Sequence, residues 1–221
     1  MLESTIASLA KFWPSLFFIA QGIIVTLKYS ITSVVFGLII GALLAFCKIG
    51  SNKIIRQLAN FYTSVFRGTP LLIQISIIYF GLPSILGVKI SVFAGGVIAF
   101  SLNSGAYVSE IIRAGILSID QGQFEAAKAL SIPKYYMYKD IILPQALRNF
   151  LPSLVNELID MLKESSLISV LGEMDLMHRA QLVAAKTYQY FTPMCTAGAC
   201  YYVLILILAR LAKILERKLT I

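Results

Sequence analysis

Glu110, Arg113 and Glu164 are ionisable side chains set inside stretches that are otherwise apolar. Charge is costly in hydrocarbon, so such groups turn toward a bundle interior, a water-filled path or one another. Asn103, Tyr107 and Glu110 follow one another at steps of four and three and so share a helix face, and Arg113 follows Glu110 closely enough to pair with it. Together these groups offer both signs of charge. Arg113 can fork onto a carboxylate through two parallel hydrogen bonds, Glu110 or Glu164 can take an ammonium, and Gly68, Thr69, Pro70 and Ser166 bring backbone or hydroxyl groups. That set could hold a zwitterion. The competing account is structural: Arg113 only neutralises Glu110, and Lys163 pairs with Asp160 or Glu164.

Enzymatic chemistry finds no support. The sequence has no GxxxxGK[ST] loop for nucleotide phosphates and no Ser/His/Asp, HExxH or Cys/His arrangement. His178 has no partner at a metal-ligand spacing. Cys47, Cys195 and Cys200 fit no zinc or redox pattern and read as small residues of apolar helices. No catalytic residue, metal or cofactor is therefore expected on this chain.

The elements that must position the charged groups are long apolar segments. Of 221 residues, 58% are hydrophobic and 14% charged, too little charge for a soluble domain of this size. A bilayer crossing needs about 20 residues of helix. Five spans are expected, at roughly 21–46, 58–81, 92–116, 151–171 and 190–208, in a single membrane domain over 1–221 with its core at about 21–210. Trp13, with Phe12, Phe17 and Phe18, suits an interfacial belt, and Lys28 must snorkel or face the bundle. Gly37, Gly41 and Ala45 form a small-residue stripe that favours close helix packing within the chain. Arg67-Gly68-Thr69-Pro70 should break the second span, and broken backbone at membrane depth is tolerated only where it is buried or lines a cavity. The N-terminus lacks a cleavable signal pattern.

The net charge of +8 points to orientation rather than to nucleic acid. Lys48, Lys53, Arg56, Lys128, Lys134, Lys139, Arg148, Arg210, Lys213, Arg217 and Lys218 fall on stretches that alternate with those holding Lys11, Lys89, Arg179 and Lys186. The positive excess faces the cytoplasm, with the N-terminus out and the C-terminus in.

Between the third and fourth spans, Asp120 to Leu151 is the longest stretch that cannot sit in lipid. Asp120 should cap a helix, with Gln123 reaching back. Ala126, Ala127, Ala129 and Leu130 favour helix, Pro133 should end it, and a second helix should run from about Lys134 until Pro144 bends it. A short exposed helix with a small alanine face suits docking in a groove of a partner.

Glu125-Ala126-Ala127, Ser131, then Ile141, Leu143 and Pro144 resemble the EAA signature of bacterial ABC importer permeases, in which three residues, Gly, nine residues and Ile-x-Leu-Pro follow EAA. Ser131 stands where that family has Gly. The strings RGTPLLIQ and LNSGAYVSEIIRAGILSI resemble the polar amino acid branch, and Lys163-Glu164-Ser165-Ser166-Leu167, followed by Ser169-Val170, resembles the family's Lys-acidic-Ser/Thr-Ser-Leu element. The resemblance implies an all-α bundle of the type I importer permease fold, with a cytoplasmic coupling helix. It implies ATP-driven import of a polar amino acid, glutamine-type preferred, in the bacterial inner membrane by alternating access. Its partners would be a cytoplasmic ATPase dimer holding ATP and Mg, an external solute-binding protein and a second permease copy, preferably identical. Glu125, Ala126, Ala127, Ala129, Leu130, Ser131, Ile141, Leu143 and Pro144 would form the ATPase-docking element. The alternative is a secondary transporter driven by an ion gradient, with Glu110 and Glu164 as ion sites.

Overall fold

The computed structural model describes residues 13–219, with side chains through Ile214. The signal-peptide expectation, Lys11, Phe12 and the side chains of Arg217 and Lys218 lie outside the described residues. Among the described residues every regular element is helical.

Helix α1 (Gly22–Ile49) continues a helical run that starts at Trp13. It packs along α5 (Val92–Leu117) in the most extensive helix contact of the molecule. The glycine stripe is the reason. A Cβ at Gly37 would sit 2.7 Å from Ser104 Oγ, and one at Gly41 would sit 2.5 Å from Val108 Cγ1. Only residues without a side chain let these backbones approach so closely. The stripe is thus used inside the chain, as expected. Lys28 lies over the Phe93 ring, 4.2 Å from its centroid, while Trp13 and Phe17 are exposed.

The second expected span is not one helix. α2 (Lys53–Gly68) and the run formed by α3 (Leu71–Ser76), a π-helical turn (Ile77–Gly81) and α4 (Leu82–Leu86) meet at a 105° bend. The bend falls at Gly68-Thr69-Pro70, where Pro70 has no N–H to continue the ladder. The carbonyls freed there are not orphaned. Gln74 Nε2 donates to Phe66 O at 2.8 Å and to Thr69 O at 3.0 Å. Asn103 Nδ2, from α5, donates to Gln74 Oε1 at 3.0 Å.

α6 (Gln121–Ala129) starts where Asp120 accepts the Gly122 N–H at 2.7 Å. Gln123 does not reach back to complete a capping box; its side-chain oxygen faces Gln145 Nε2 at 3.4 Å. The helix ends before Pro133, for a backbone reason. Ser131 has φ 55°, its N–H donates to Lys128 O, and the Ile132 N–H donates to Ala127 O, each at 2.9 Å. This is a Schellman stop, normally built on glycine.

The second helix of this element continues past Pro144. α7 (Lys134–Tyr136), a π-helical turn (Met137–Ile142) and α8 (Leu143–Glu164) run on without a break, with Pro144 in the first turn of α8. The wider π turn accommodates the missing N–H. A 3-10 stretch (Ser165–Leu171) follows. The segment 173–189, expected as a connection, contains a helix, α9 (Leu176–Thr187). The fully buried Asp175 caps it through the Met177 and His178 N–H groups and accepts from Tyr201 Oη at 3.3 Å. Burial pushes its carboxyl above the ordinary aspartate range, against those bonds. α10 (Phe191–Leu219) closes the chain.

Among the described residues three helical runs, Trp13–Ile49, Val92–Leu117 and Phe191–Ile214, are long and apolar enough to cross a bilayer, and the bent pair makes a fourth if its two arms count as one span. The expected span 151–171 is not among them, because α8 carries Glu157, Asp160, Lys163 and Glu164. It packs instead against α1, α5 and α10.

Candidate functional site

Two charged groups and one exposed surface emerge from this frame. The first group joins the C-terminal parts of α1 and α5. Lys48 is buried, with its side chain only 1% exposed. Its Nζ lies 2.6 Å from Glu110 Oε1 and donates to Ser109 Oγ at 2.8 Å. Arg113 forks onto the other oxygen of Glu110, with Nε at 3.0 Å and Nη2 at 2.7 Å. Both carboxylate oxygens of Glu110 are therefore engaged, and Arg113 has spent its fork on Glu110. The i,i+3 pairing foreseen in the sequence forms; the Lys48 partner, distant in sequence by 62 residues, was not foreseen.

The second group lines a cavity of about 390 Å3 between α5 and α8, walled by Tyr107, Glu157, Asp160, Lys163 and Glu164. Its size suits a small organic ligand. Lys163 pairs with Asp160 at 2.6 Å, one of the structural pairings anticipated for it. Glu157 is only 8% exposed and accepts one hydrogen bond, from Ser104 Oγ at 2.7 Å. The Arg67 guanidinium lies over the ring of Tyr107, 5.2 Å from its centroid.

The sequence-derived site residues are thus divided. Tyr107 and Glu164 share the cavity. Glu110 and Arg113 form the separate cluster with Lys48. Asn103 is buried and tied to Gln74 and the Phe66 carbonyl. Gly68, Thr69 and Pro70 are exposed at the bend and do not line the cavity; their neighbour Arg67, also exposed, stacks on Tyr107. Ser166 opens onto an adjoining cavity of about 430 Å3, which Lys163 also borders. Glu157, Lys48 and Gln74 were missed. Glu157 sits seven residues before Glu164, two helical turns along one face, and that spacing was the available signal.

On the element between α5 and α8 and at the start of α8, Glu125, Ala126, Ala129, Leu130, Ser131 and Pro144 are exposed, with Leu130 74% so. Ala127 is 2% exposed and packs in a core cluster with Ile116, Met137, Ile142 and Phe150. Ala127 is therefore corrected from a docking contact to the residue that seats α6 on its own chain. Ile141 and Leu143 are partly buried against the same cluster. The alanine pair of the signature faces two ways because successive helical residues are about 100° apart.

Comparison with known proteins places this architecture. Residues 33–221 match the family described as binding-protein-dependent transport system inner membrane component. The chain is 62% identical over 213 residues to the putative glutamine transport system permease protein GlnP of Rickettsia conorii, covering 96% of this chain and 98% of that one. It is 52% identical over 206 residues to the arginine transport system permease protein ArtQ of Bacillus subtilis, covering 93% and 94%. Among solved structures it resembles an amino acid ABC transporter crystallised with histidines, at TM-score 0.87 and 42% identity over 96% and 97% of the two chains. An inward-facing MetNI methionine ABC transporter shares the fold at TM-score 0.79 and 18% identity, over 93% and 98%. The chain belongs to the binding-protein-dependent transport system inner membrane component family, and is a helical permease subunit of an ATP-driven importer.

Proposed function

We propose that this chain imports a polar amino acid and that the cavity between α5 and α8 is where the cargo rests inside the membrane. The names of its relatives, glutamine and arginine permeases, support the cargo class. The observation that carries the site is a small-molecule-sized cavity bordered by charged groups in an otherwise apolar helix bundle. Glu157 or Glu164 takes the α-ammonium. Arg67, beside Tyr107, is better placed than Arg113 for the α-carboxylate, because Arg113 is already bound to Glu110.

The exposed face of α6 docks the ATPase. Ala126, Ala129 and Leu130 enter its groove, and Glu125 and Pro144 border the contact. The N-terminus lies outside and the C-terminus inside, and two identical copies make up the membrane portion. ATP and Mg act on the partner ATPase. Closure of the ATPases moves α6 and, through the unbroken helix from Lys134 to Glu164, shifts α8 at the cavity. Alternating access follows if the two states hold the cargo differently.

The test is uptake of labelled amino acids into vesicles holding the permease, its ATPase and its binding protein. Uptake that requires ATP and the binding protein is expected. Uptake that persists without ATP and follows an ion gradient would support the secondary-transporter alternative and overturn the proposal.

A further inference from the structure

We infer that α8 contains a hinge at Pro152, with Phe150 seated on Gly115 as its fulcrum, and that these three are positioning residues for the coupling of ATP hydrolysis to transport. The inference rests on the ATPase docking at α6 proposed above and adds where the helix leading away from it bends. Pro152 lies inside α8 and is exposed. It has no N–H, so the Arg148 carbonyl one turn earlier loses its helical partner, and the ring crowds that carbonyl. Helices bend most readily at such a position. Two residues earlier, Phe150 is buried. A Cβ at Gly115 would sit 2.6 Å from Phe150 Cδ1 and 2.7 Å from Phe150 Cβ, so the phenylalanine rests on the backbone of α5 with no side chain between them.

Beside that contact the two helices part. A cavity of about 410 Å3 opens between them, bordered by Glu110 and Ala114 on α5 and by Asn149 and Ser153 on α8. A close-packed interface resists tilting, whereas a helix resting on one ring beside open space has room to swing. α5 is the fixed member of the pair. The glycine stripe packs it along α1, and Lys48 and Arg113 hold both oxygens of Glu110. α8 is the member that moves, and Pro152 divides it by role. Before the proline, Ala146 and Phe150 share the core cluster that seats Ala127 of α6. After it, Glu157, Asp160 and Glu164 border the cavity between α5 and α8. The hinge therefore lies between the part of the helix that receives a push from α6 and the part that must respond.

The experiment measures uptake of labelled L-glutamine and L-arginine, with ATP hydrolysis in the same vesicles, for the permease assembled with its ATPase and binding protein. Pro152→Ala restores the N–H and stiffens α8. Its apparent Tm should equal or exceed that of the unaltered protein, and the ATPase should still co-purify. Amino acid imported per ATP should nonetheless fall about tenfold. Pro152→Gly also restores the N–H but keeps the helix pliable, and should hold the ratio within about threefold. A proline with only a structural role predicts instead a firmer Pro152→Ala protein with its transport ratio unchanged. Gly115→Ala, which lifts Phe150 from its seat, should lower the ratio as well, and it carries the test if the Pro152→Ala chain fails to fold. An unchanged ratio in Pro152→Ala, or in Gly115→Ala where it carries the test, would overturn the inference, as would Pro152→Gly being as impaired as Pro152→Ala. Failure of the docking reading is distinguishable: it shows as ATPase retained by Leu130→Asp, whereas failure of the hinge shows as fully coupled uptake by Pro152→Ala with its ATPase bound.

Discussion

Lys48 illustrates how much a single residue can decide. It terminates α1 and reads in the sequence as one more cytoplasmic positive charge. In the fold it is buried and pinned to Ser109 and Glu110. Removing one partner of a buried pair costs more than the pair contributes, because a desolvated charge is left behind. Glu110→Ala should therefore lower permease stability by about 3 kcal/mol or more, measured by thermal unfolding of the purified protein in detergent. Arg113→Ala should be milder, because its side chain is 36% exposed and water can replace the partner. An Arg113 loss as large as that of Glu110 would contradict this ranking. Gln74 plays a comparable part at the 105° bend. Gln74→Ala would strip the Phe66 and Thr69 carbonyls of a donor and release Asn103, at a cost of about 1–3 kcal/mol. Unfolding in parallel with uptake assays would reveal it; an unchanged transition would mean that water satisfies those carbonyls.

Among the elements, α6 carries the sharpest expectations. Ser131 occupies the left-handed region at φ 55°, where a residue with a Cβ is strained by roughly 1–2 kcal/mol. Ser131→Gly should relieve that strain, less the added freedom of the unfolded glycine, for a net gain of about 1 kcal/mol. A raised apparent Tm is expected; a lowered one would mean that the serine hydroxyl holds the turn. The two faces of α6 should also separate in function. Leu130→Asp, on the outward face, should abolish ATPase co-purification while leaving the permease folded. Ala127→Trp, on the inward face, should lower stability itself, since no space exists among Ile116, Met137 and Phe150. Co-purification surviving Leu130→Asp would remove α6 from the docking contact.

At the scale of the whole molecule, the positive-residue bias supports the proposed orientation, and that orientation is measurable. With the native cysteines replaced by serine, Leu130→Cys in intact cells should resist a membrane-impermeant maleimide and react only after the membrane is opened. Labelling from outside would invert the topology and with it the docking proposal.

The apolar runs, the glycine stripe, the proline break and the spacing from Glu125 to Pro144 were legible in the linear chain. Each depends on local geometry: helix period, a missing N–H, the length that crosses hydrocarbon. What neighbours a charge across the bundle was not legible. Glu110 is drawn to Lys48 across 62 residues of chain, and Glu157 meets Ser104 across 53. The division of Ala126 from Ala127, one outward and one inward, likewise needed the packed helix, because only the surface that receives α6 determines which side is covered. Sequence alone therefore determined three lipid-compatible runs and the break near Pro70, but not the place of the polar helix expected as a span at 151–171. Tertiary structure alone decided which polar groups are spent on one another and which border a cavity, because burial and pairing are properties of neighbours brought together by folding.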